Sequence, residues 1–308
     1  MIVNPTNLQN LFIGFDTRFA EAYNKVPNVW YPQLSTEVPS TTTTNVYPFM
    51  TGLPTLREWV GERQINNLNA KNYTLENKQF EGTIAVGKNT IEDDQWGVYN
   101  FQVDALGEAA KKYPDYLMAD LLTNGQSQAC YDGQAFFDHE HPTEIAGQGR
   151  TVLQSNLHTS TPLTSDNISS VRSGMMAKVG NSGKVMGIVP NLLCVAPQNE
   201  MKARTILQAE IIAVSQGNGA AGQSNVLKGL VDLLVVPELA NDPESWYLLD
   251  TSRSLKPFIF QNRQAAQLTS LTDLTSENVF MRKEFIFGVD MRCAAGYGLW
   301  FMAAKCTA

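Results

Sequence analysis

Between residues 94 and 124 the apolar positions Tyr99, Val103, Leu106, Ala110, Tyr113, Leu117 and Leu121 recur at steps of four and three. That spacing keeps one face of a 3.6-residue repeat apolar throughout and predicts one long helix whose face must be packed. Asp93 and Asp94 stand where first-turn acids would meet free N–H groups and the positive dipole end, and Asn124-Gly125 offers a left-handed stop. Pro114 has no N–H for the carbonyl of Ala110, so a bend is expected there.

Upstream, Leu8, Leu11, Phe12, Phe15, Phe19 and Tyr23 have helical spacing within 7–24, followed by Pro27, Pro32, Pro39 and the run Thr41 to Thr44. An amphipathic helix on an extended tether is expected over 1–45, an arm able to reach a neighbour; a helix packed on its own domain is the alternative. From Tyr47 to Asp93 the period changes. Phe80, Gly82, Ile84 and Val86 alternate with Glu81, Thr83 and Ala85 after a polar tract from Asn66 to Lys78, which predicts a long, mostly exposed β-hairpin.

Downstream, Cys130 to Pro142 (CYDGQAFFDHEHP) leads into a polar loop to about Thr161. Thr164-Ser165-Asp166 can cap a helix over 167–179, and 198–214 reads as another. Val189 to Val195 and Leu230 to Val236 read as buried strands, Ser215 to Asn225 as a loop of small residues between them, and Trp246 to Asp250 and Pro257 to Gln261 as shorter strands. The stretch 279–305 alternates through Phe285, Phe287, Val289 and Met291, turns near Ala295-Gly296 and continues from Leu299 to Ala303. Helix and strand thus mix without an internal repeat, an α+β pattern.

With 308 residues, 43% of them hydrophobic and 17% charged, the chain can bury a substantial core in one large domain or two smaller ones. No apolar run approaches the roughly 20 residues of a membrane span, and the N-terminus has no basic region ahead of a hydrophobic signal core, so a soluble protein is expected. Cys130, Cys194, Cys293 and Cys306 are scattered, as free thiols in a reducing compartment would be. A net charge of −7 without a Lys/Arg cluster argues against a groove-reading nucleic-acid binder.

Two motifs suggest chemistry. His139 and His141, two apart on an extended segment, would point to one side and could hold zinc with Asp132, Glu144 or His158 as a third ligand, leaving a water position for hydrolysis. The chain has three histidines in all and no helical His-x-x-x-His, and the competing account is a surface turn closed by Pro142 over buried Phe136 and Phe137. Gly217-Asn218-Gly219-Ala220-Ala221-Gly222 fits a dinucleotide fingerprint by letter. The fingerprint needs a strand before it and a helix after it; here the preceding segment reads as helix, and too few residues precede Leu230 for a crossover helix. No Gly-x-Ser-x-Gly is present, and no catalytic residue, metal or cofactor is expected.

Other segments carry a resemblance. Glu58-Trp59-Val60-Gly61-Glu62-Arg63, Phe80-Glu81-Gly82-Thr83-Ile84, Phe136-Phe137-Asp138 with His141-Pro142, Lys228-Gly229 with Leu233-Leu234-Val235-Val236-Pro237, Trp246-Tyr247-Leu248-Leu249-Asp250, and Gly288-Val289-Asp290-Met291-Arg292 before Gly296-Tyr297-Gly298-Leu299-Trp300 resemble, in order and spacing, the Mu-like phage major head subunit family. The resemblance runs from about Thr55 to Ala304.

The resemblance implies the HK97-like capsid fold of tailed phages. It assigns 1–45 to an N-terminal arm, 46–93 to an extended E-loop, 94–161 to a peripheral domain with its spine helix at 94–124, 162–270 to an axial domain, and 271–308 to a return to the peripheral domain. It implies a structural protein and no enzyme: a major capsid protein forming hexamers and pentamers of an icosahedral head around double-stranded DNA, without sequence-specific binding and with no membrane. The implied partners are other copies, a scaffold protein, a portal and a head decoration protein, with assembly in the bacterial cytoplasm and residence in the virion. No long charged helix precedes the arm, so a separate or removed scaffold is expected. Some related shells join a lysine to an asparagine; Lys78 and Lys88 would be the candidates, but nothing marks the acid such a bond needs. A soluble zinc hydrolase centred on His139 and His141 stands as the alternative.

Overall fold

The structure, a computed structural model, describes residues 2–50, 70–93, 95–145, 148–216 and 219–308. Helix α1 (Pro5–Lys25) opens where the Asn4 side chain accepts the Asn7 N–H, with Pro5 in the first turn. It does not hang as a tether. Leu8, Leu11, Phe15 and Phe19 are buried in their own chain, and the Phe15 and Phe287 rings meet edge to face at 5.0 Å. A turn of helix, α2 (Tyr31–Leu34), then leads to β1 (Ser35–Pro39).

β2 (Thr44–Met50) and β3 (Ala70–Glu76) pair antiparallel, and residues 51–69, with the 58–63 motif among them, lie outside the described residues. The alternating stretch through Phe80 is a different strand, β4 (Lys78–Gly87). Half of its residues are exposed and only Val86 is fully buried, as a mostly exposed strand would have it, but it is not an arm of that hairpin, because it pairs with a strand about two hundred residues on. After α3 (Lys88–Glu92) and a 3-10 turn at Trp96–Tyr99 comes the long helix α4 (Asn100–Asn124).

α4 carries Pro114 inside it, and its buried face includes Val103, Met118, Leu121 and Leu122. Its ends differ from expectation. Tyr99 is the N-cap residue and no acid lies in the first turn, because α3 and the 3-10 turn occupy the stretch at Asp93; Asp94 lies outside the described residues. Gly125 has φ −63, so it is no left-handed stop. A Cβ there would lie 2.5 Å from the Phe137 ring, and close approach accounts for the glycine.

The stretch expected as a polar loop forms a ribbon of β5 (His141–Ile145) and β6 (Arg150–Gln154), then the short β7 (Leu157–His158). Thr164 caps α5 (Ser165–Met176), accepting the Asn167 N–H. β8 (Leu192–Val195) is wholly buried, and α6 (Glu200–Gln208) stops earlier than its apolar residues suggest, because Ile211 to Val214 belong to a strand. β9 (Ile211–Gln216) and β10 (Gly219–Ser224) pair antiparallel where a loop was expected. β11 (Asp232–Val235), β12 (Ser245–Leu249), the long β13 (Phe258–Leu271), α7 (Glu277–Arg282), β14 (Glu284–Tyr297) and β15 (Ala303–Thr307) complete the chain. Ala295 and Gly296 belong to β14, and the turn into β15 comes later, through Trp300–Met302.

Two principal sheets result. One runs β1-β13-β14-β4, with β1 parallel to β13 and the other pairs antiparallel; the other runs β11-β8-β12-β15-β7 and is mixed. α1, the first half of α4 and α7 cover the first sheet around Phe285 and Phe287. The second half of α4 packs with the five-stranded sheet and α5 around Trp246, Tyr247 and Phe136. α4 therefore joins the two cores.

Candidate functional site

The histidine-bearing segment is built around a buried amide. Asn156 Nδ2 donates to the carbonyls of Phe136 (2.7 Å) and Trp300 (3.1 Å), which turns its Oδ1 toward the Asp138 N–H (2.9 Å) and His141 Nε2 (3.2 Å). His141 Nδ1 lies 2.6 Å from Asp132 Oδ2, and the ring is fully buried. Both ring nitrogens thus face side-chain oxygens, one of a carboxylate and one of an amide. Burial pushes Asp132 up, but hydrogen bonds from His141 and then Cys130 outweigh it and hold the carboxyl below its usual value.

His139 is exposed and does not join His141. Among the described residues, the group that converges is Cys130, Asp132 and His141, with ligand atoms within 4.8 Å of one another. Those atoms are already spent on each other, since Cys130 Sγ donates to Asp132 Oδ1 at 3.0 Å while Oδ2 takes His141. Burial and the neighbouring Asp132 charge push the Cys130 thiol up, away from the thiolate a metal prefers. Cys194, Cys293 and Cys306 are also buried free thiols, each pushed up by burial. The cluster has the chemistry of an internal brace.

The glycine-rich fingerprint is likewise structural: Gly219 to Gly222 lie in strand β10, where the fingerprint needs the approach to a phosphate-binding helix. Gly217 and Asn218 lie outside the described residues.

What the fold offers to other molecules is surface. The β2–β3 ribbon is tied to the body at its root: Asn77 Nδ2 donates to Ser40 Oγ and to the Thr42 carbonyl, each at 2.9 Å, and Tyr47 Oη donates to buried Gln261 at 2.8 Å. The β9–β10 ribbon is held at its base by Asn225, whose Nδ2 donates to the carbonyls of Ile206 and Ala209. Between α4 and the first sheet an apolar groove of about 160 Å³ is lined by Phe80, Leu106, Ala110, Tyr113, Val289 and Met291. Lys78 opens β4 and Lys88 opens α3, so neither sits on a ribbon. Sequence patterning passes over Asn77, Asn156 and Asn225, because an isolated asparagine carries no periodic signal.

The family model described as Mu-like prophage major head subunit gpT matches residues 8–162, 154–239 and 238–308. The Mu-like prophage FluMu major head subunit of Haemophilus influenzae is 31% identical over 301 residues, covering 98% of this chain and 73% of that protein. The major capsid protein of Escherichia phage Mu is 31% identical over 305 residues, covering 98% and 74%. Among solved structures, the procapsid of bacteriophage JBD30 matches with a TM-score of 0.64 at 31% identity, over 99% of this chain and 76% of that one.

Proposed function

The chain belongs to the Mu-like prophage major head subunit family, and on that footing we propose that its copies form hexamers and pentamers that close an icosahedral head around double-stranded DNA. It is a major capsid protein, and its work is assembly, not catalysis. The observation that carries the reading is the match to capsid subunits along nearly the whole chain, in sequence and in fold. The unclaimed surfaces support it: two ribbons with rooted bases and an apolar groove are features a single subunit leaves uncovered and a shell can cover.

In this reading residues 46–93 include the extended loop, whose ribbon is β2 and β3, 94–161 and 271–308 form the peripheral domain along α4, and 162–270 form the axial domain with the β9–β10 ribbon at the capsomer centre. The N-terminal arm of 1–45 is docked on its own subunit through α1, so any reach toward a neighbour would follow release of that helix. Many contacts of roughly 1,000–2,000 Å² each sum to a stable shell although each is modest. The net charge of −7 suits an inner wall that does not hold DNA down during packaging. A scaffold, a portal and a decoration protein are the proposed partners, and the bacterial cytoplasm the proposed place of assembly.

Negative-stain electron microscopy of the purified chain, with and without co-expressed scaffold, tests this. Shells, tubes or five- and six-membered rings are expected. Small particles only, even with scaffold, would overturn it.

A further inference from the structure

One end of the subunit gathers large apolar side chains that the fold leaves outside. β4 ends at Gly87, paired with Glu284 at the start of β14, and the Lys88 N–H donates to the Lys283 carbonyl at 2.7 Å, so α3 and α7 meet there. The Gly87 N–H also donates to the Tyr99 hydroxyl at 3.4 Å, which brings the start of α4 to the same end. Here Phe280 is 83% exposed, Phe101 77%, Met281 71% and Val98 68%. Single exposed apolar residues are ordinary; four of this size at one end mark a contact surface.

The segment presenting Phe280 and Met281 is firmly built. Asp273 Oδ1 accepts both the N–H and the hydroxyl of Thr275 at 2.8 Å, Ser276 caps α7, and Asn278 Nδ2 donates to the Glu284 carbonyl at 2.9 Å. Val279 is buried in one core with Ile91, Val103 and Phe285. Lys283 turns the chain into β14 with φ 56, a left-handed backbone that costs a non-glycine residue about 1 kcal/mol. The two apolar side chains are thus held outward by a pre-organised platform.

Charge is distributed in both signs on the same end. Arg282 and Lys283 are exposed beside Phe280 and Met281, and Glu92 and Asp93 are exposed where α3 leads toward Val98 and Phe101. Among the described residues, Arg282, Lys283 and Asp93 make no ion pair within the chain, while Glu92 lies 3.9 Å from Lys88 Nζ and would share its charge between that lysine and a neighbour.

We propose that this end is a contact surface between copies of the chain, with Phe280 and Met281 of one subunit packed on Val98 and Phe101 of the next, and Arg282 and Lys283 facing its Glu92 and Asp93. The inference rests on the shell-forming reading and names a surface used in it. The end supplies both halves of its own complement, apolar against apolar and cation against anion, so copies arranged about a common axis satisfy it without a third molecule. A nucleic acid or an anionic membrane would match the cations and be repelled by the acids beside them.

Two double variants at exposed positions test it: Phe280→Asp with Met281→Asp, and Arg282→Glu with Lys283→Glu. Each is expected to keep the wild-type circular dichroism and urea midpoint and to lose about tenfold or more of the particles formed under conditions where the wild type assembles. Adding Glu92→Lys and Asp93→Lys to the charge-reversed chain is expected to restore them. Wild-type particle yield from either double variant, or no restoration by the reciprocal change, would overturn the inference. Absence of particles from the wild type itself would instead overturn the assembly reading on which it rests.

Discussion

The imidazole of His141 and the indole of Trp300 lie face to face, 4.0 Å apart and 4° from parallel. The stack fixes the ring plane so that Nδ1 meets Asp132 and Nε2 meets Asn156. His141→Ala would leave the buried Asp132 carboxylate with only the Cys130 thiol and the Gln134 N–H and empty the space beside Trp300, a loss of about 3–5 kcal/mol. Urea unfolding checks this, and pairing the change with Asp132→Asn should cost less than the two single changes summed. Because Asp132 is held below its usual value when folded, its contribution is present above the ordinary carboxylate range and lost as pH falls through the lowered value. Asp132→Asn should remove that part of the acid dependence.

Lys178 also meets Trp300, its Nζ buried, without a hydrogen-bond partner among the described residues and 4.7 Å from the centre of the ring. Burial pushes the amine down to about 7 from its usual 10.5. The folded value is the depressed one, so the related stability is present above about pH 10.5 and is lost as pH falls through about 7. Lys178→Met keeps the length and removes the amine. It is expected to raise stability at pH 7 by about 1–4 kcal/mol, with the gain shrinking toward pH 10. Urea midpoints of both proteins at the two pH values decide it; an equal gain at both would rule out the amine as the cause.

Asp115, buried on α4, accepts the backbone N–H groups of Trp30 (3.1 Å) and Tyr31 (2.7 Å), tying the start of α2 to the long helix. Burial pushes its carboxyl up to about 6 from 3.8, against the pull of those two donors. Its contribution is therefore full below about pH 4 and lost as pH rises through about 6. Asp115→Asn, which keeps an acceptor, is expected to be neutral or stabilising at pH 7 and to flatten the change between pH 4 and 7. Asp115→Ala should cost about 1–3 kcal/mol by leaving both N–H groups unpaired. Unfolding curves at the two pH values separate the cases.

The parts legible in the sequence are those where packing repeats. Val103 and Leu121 announce the long helix because its buried face is periodic, and Val86 announces a strand because alternate residues reach the core. The family resemblance was readable for a related reason: Phe136, Phe137 and the run Trp246 to Asp250 are buried, so their order traces the core. What β4 pairs with was not legible, because β14 lies two hundred residues away and alternation names no partner. The role of Gly125 is not legible, since a glycine required by a ring at close range looks in sequence the same as one required by a left-handed turn. The brace around His141 was half visible: the histidine stood out, while the Asn156 that orients it had no pattern to betray it.

Asn77 stands where the chain leaves the β2–β3 ribbon and enters the first sheet, and its three donated hydrogen bonds all run to the stretch Ser40 to Thr43. Ribbon direction is thus set at its root, since two paired strands have little stability of their own. Asn77→Ala removes two side-chain bonds, a local loss of about 1–3 kcal/mol that falls on the root of the ribbon and not on either core. The expected result is a nearly unchanged global unfolding midpoint, faster protease cleavage near residues 40–45, and slower shell formation. In the capsid reading a subunit whose ribbon points variably pays ordering entropy each time it docks, so the rate falls although the contacts are intact. Time-resolved light scattering of assembly, alongside limited proteolysis, checks both parts. Unchanged cleavage with unchanged assembly would show that the root does not set the ribbon, whereas faster cleavage with unchanged assembly would show that the shell does not depend on its direction.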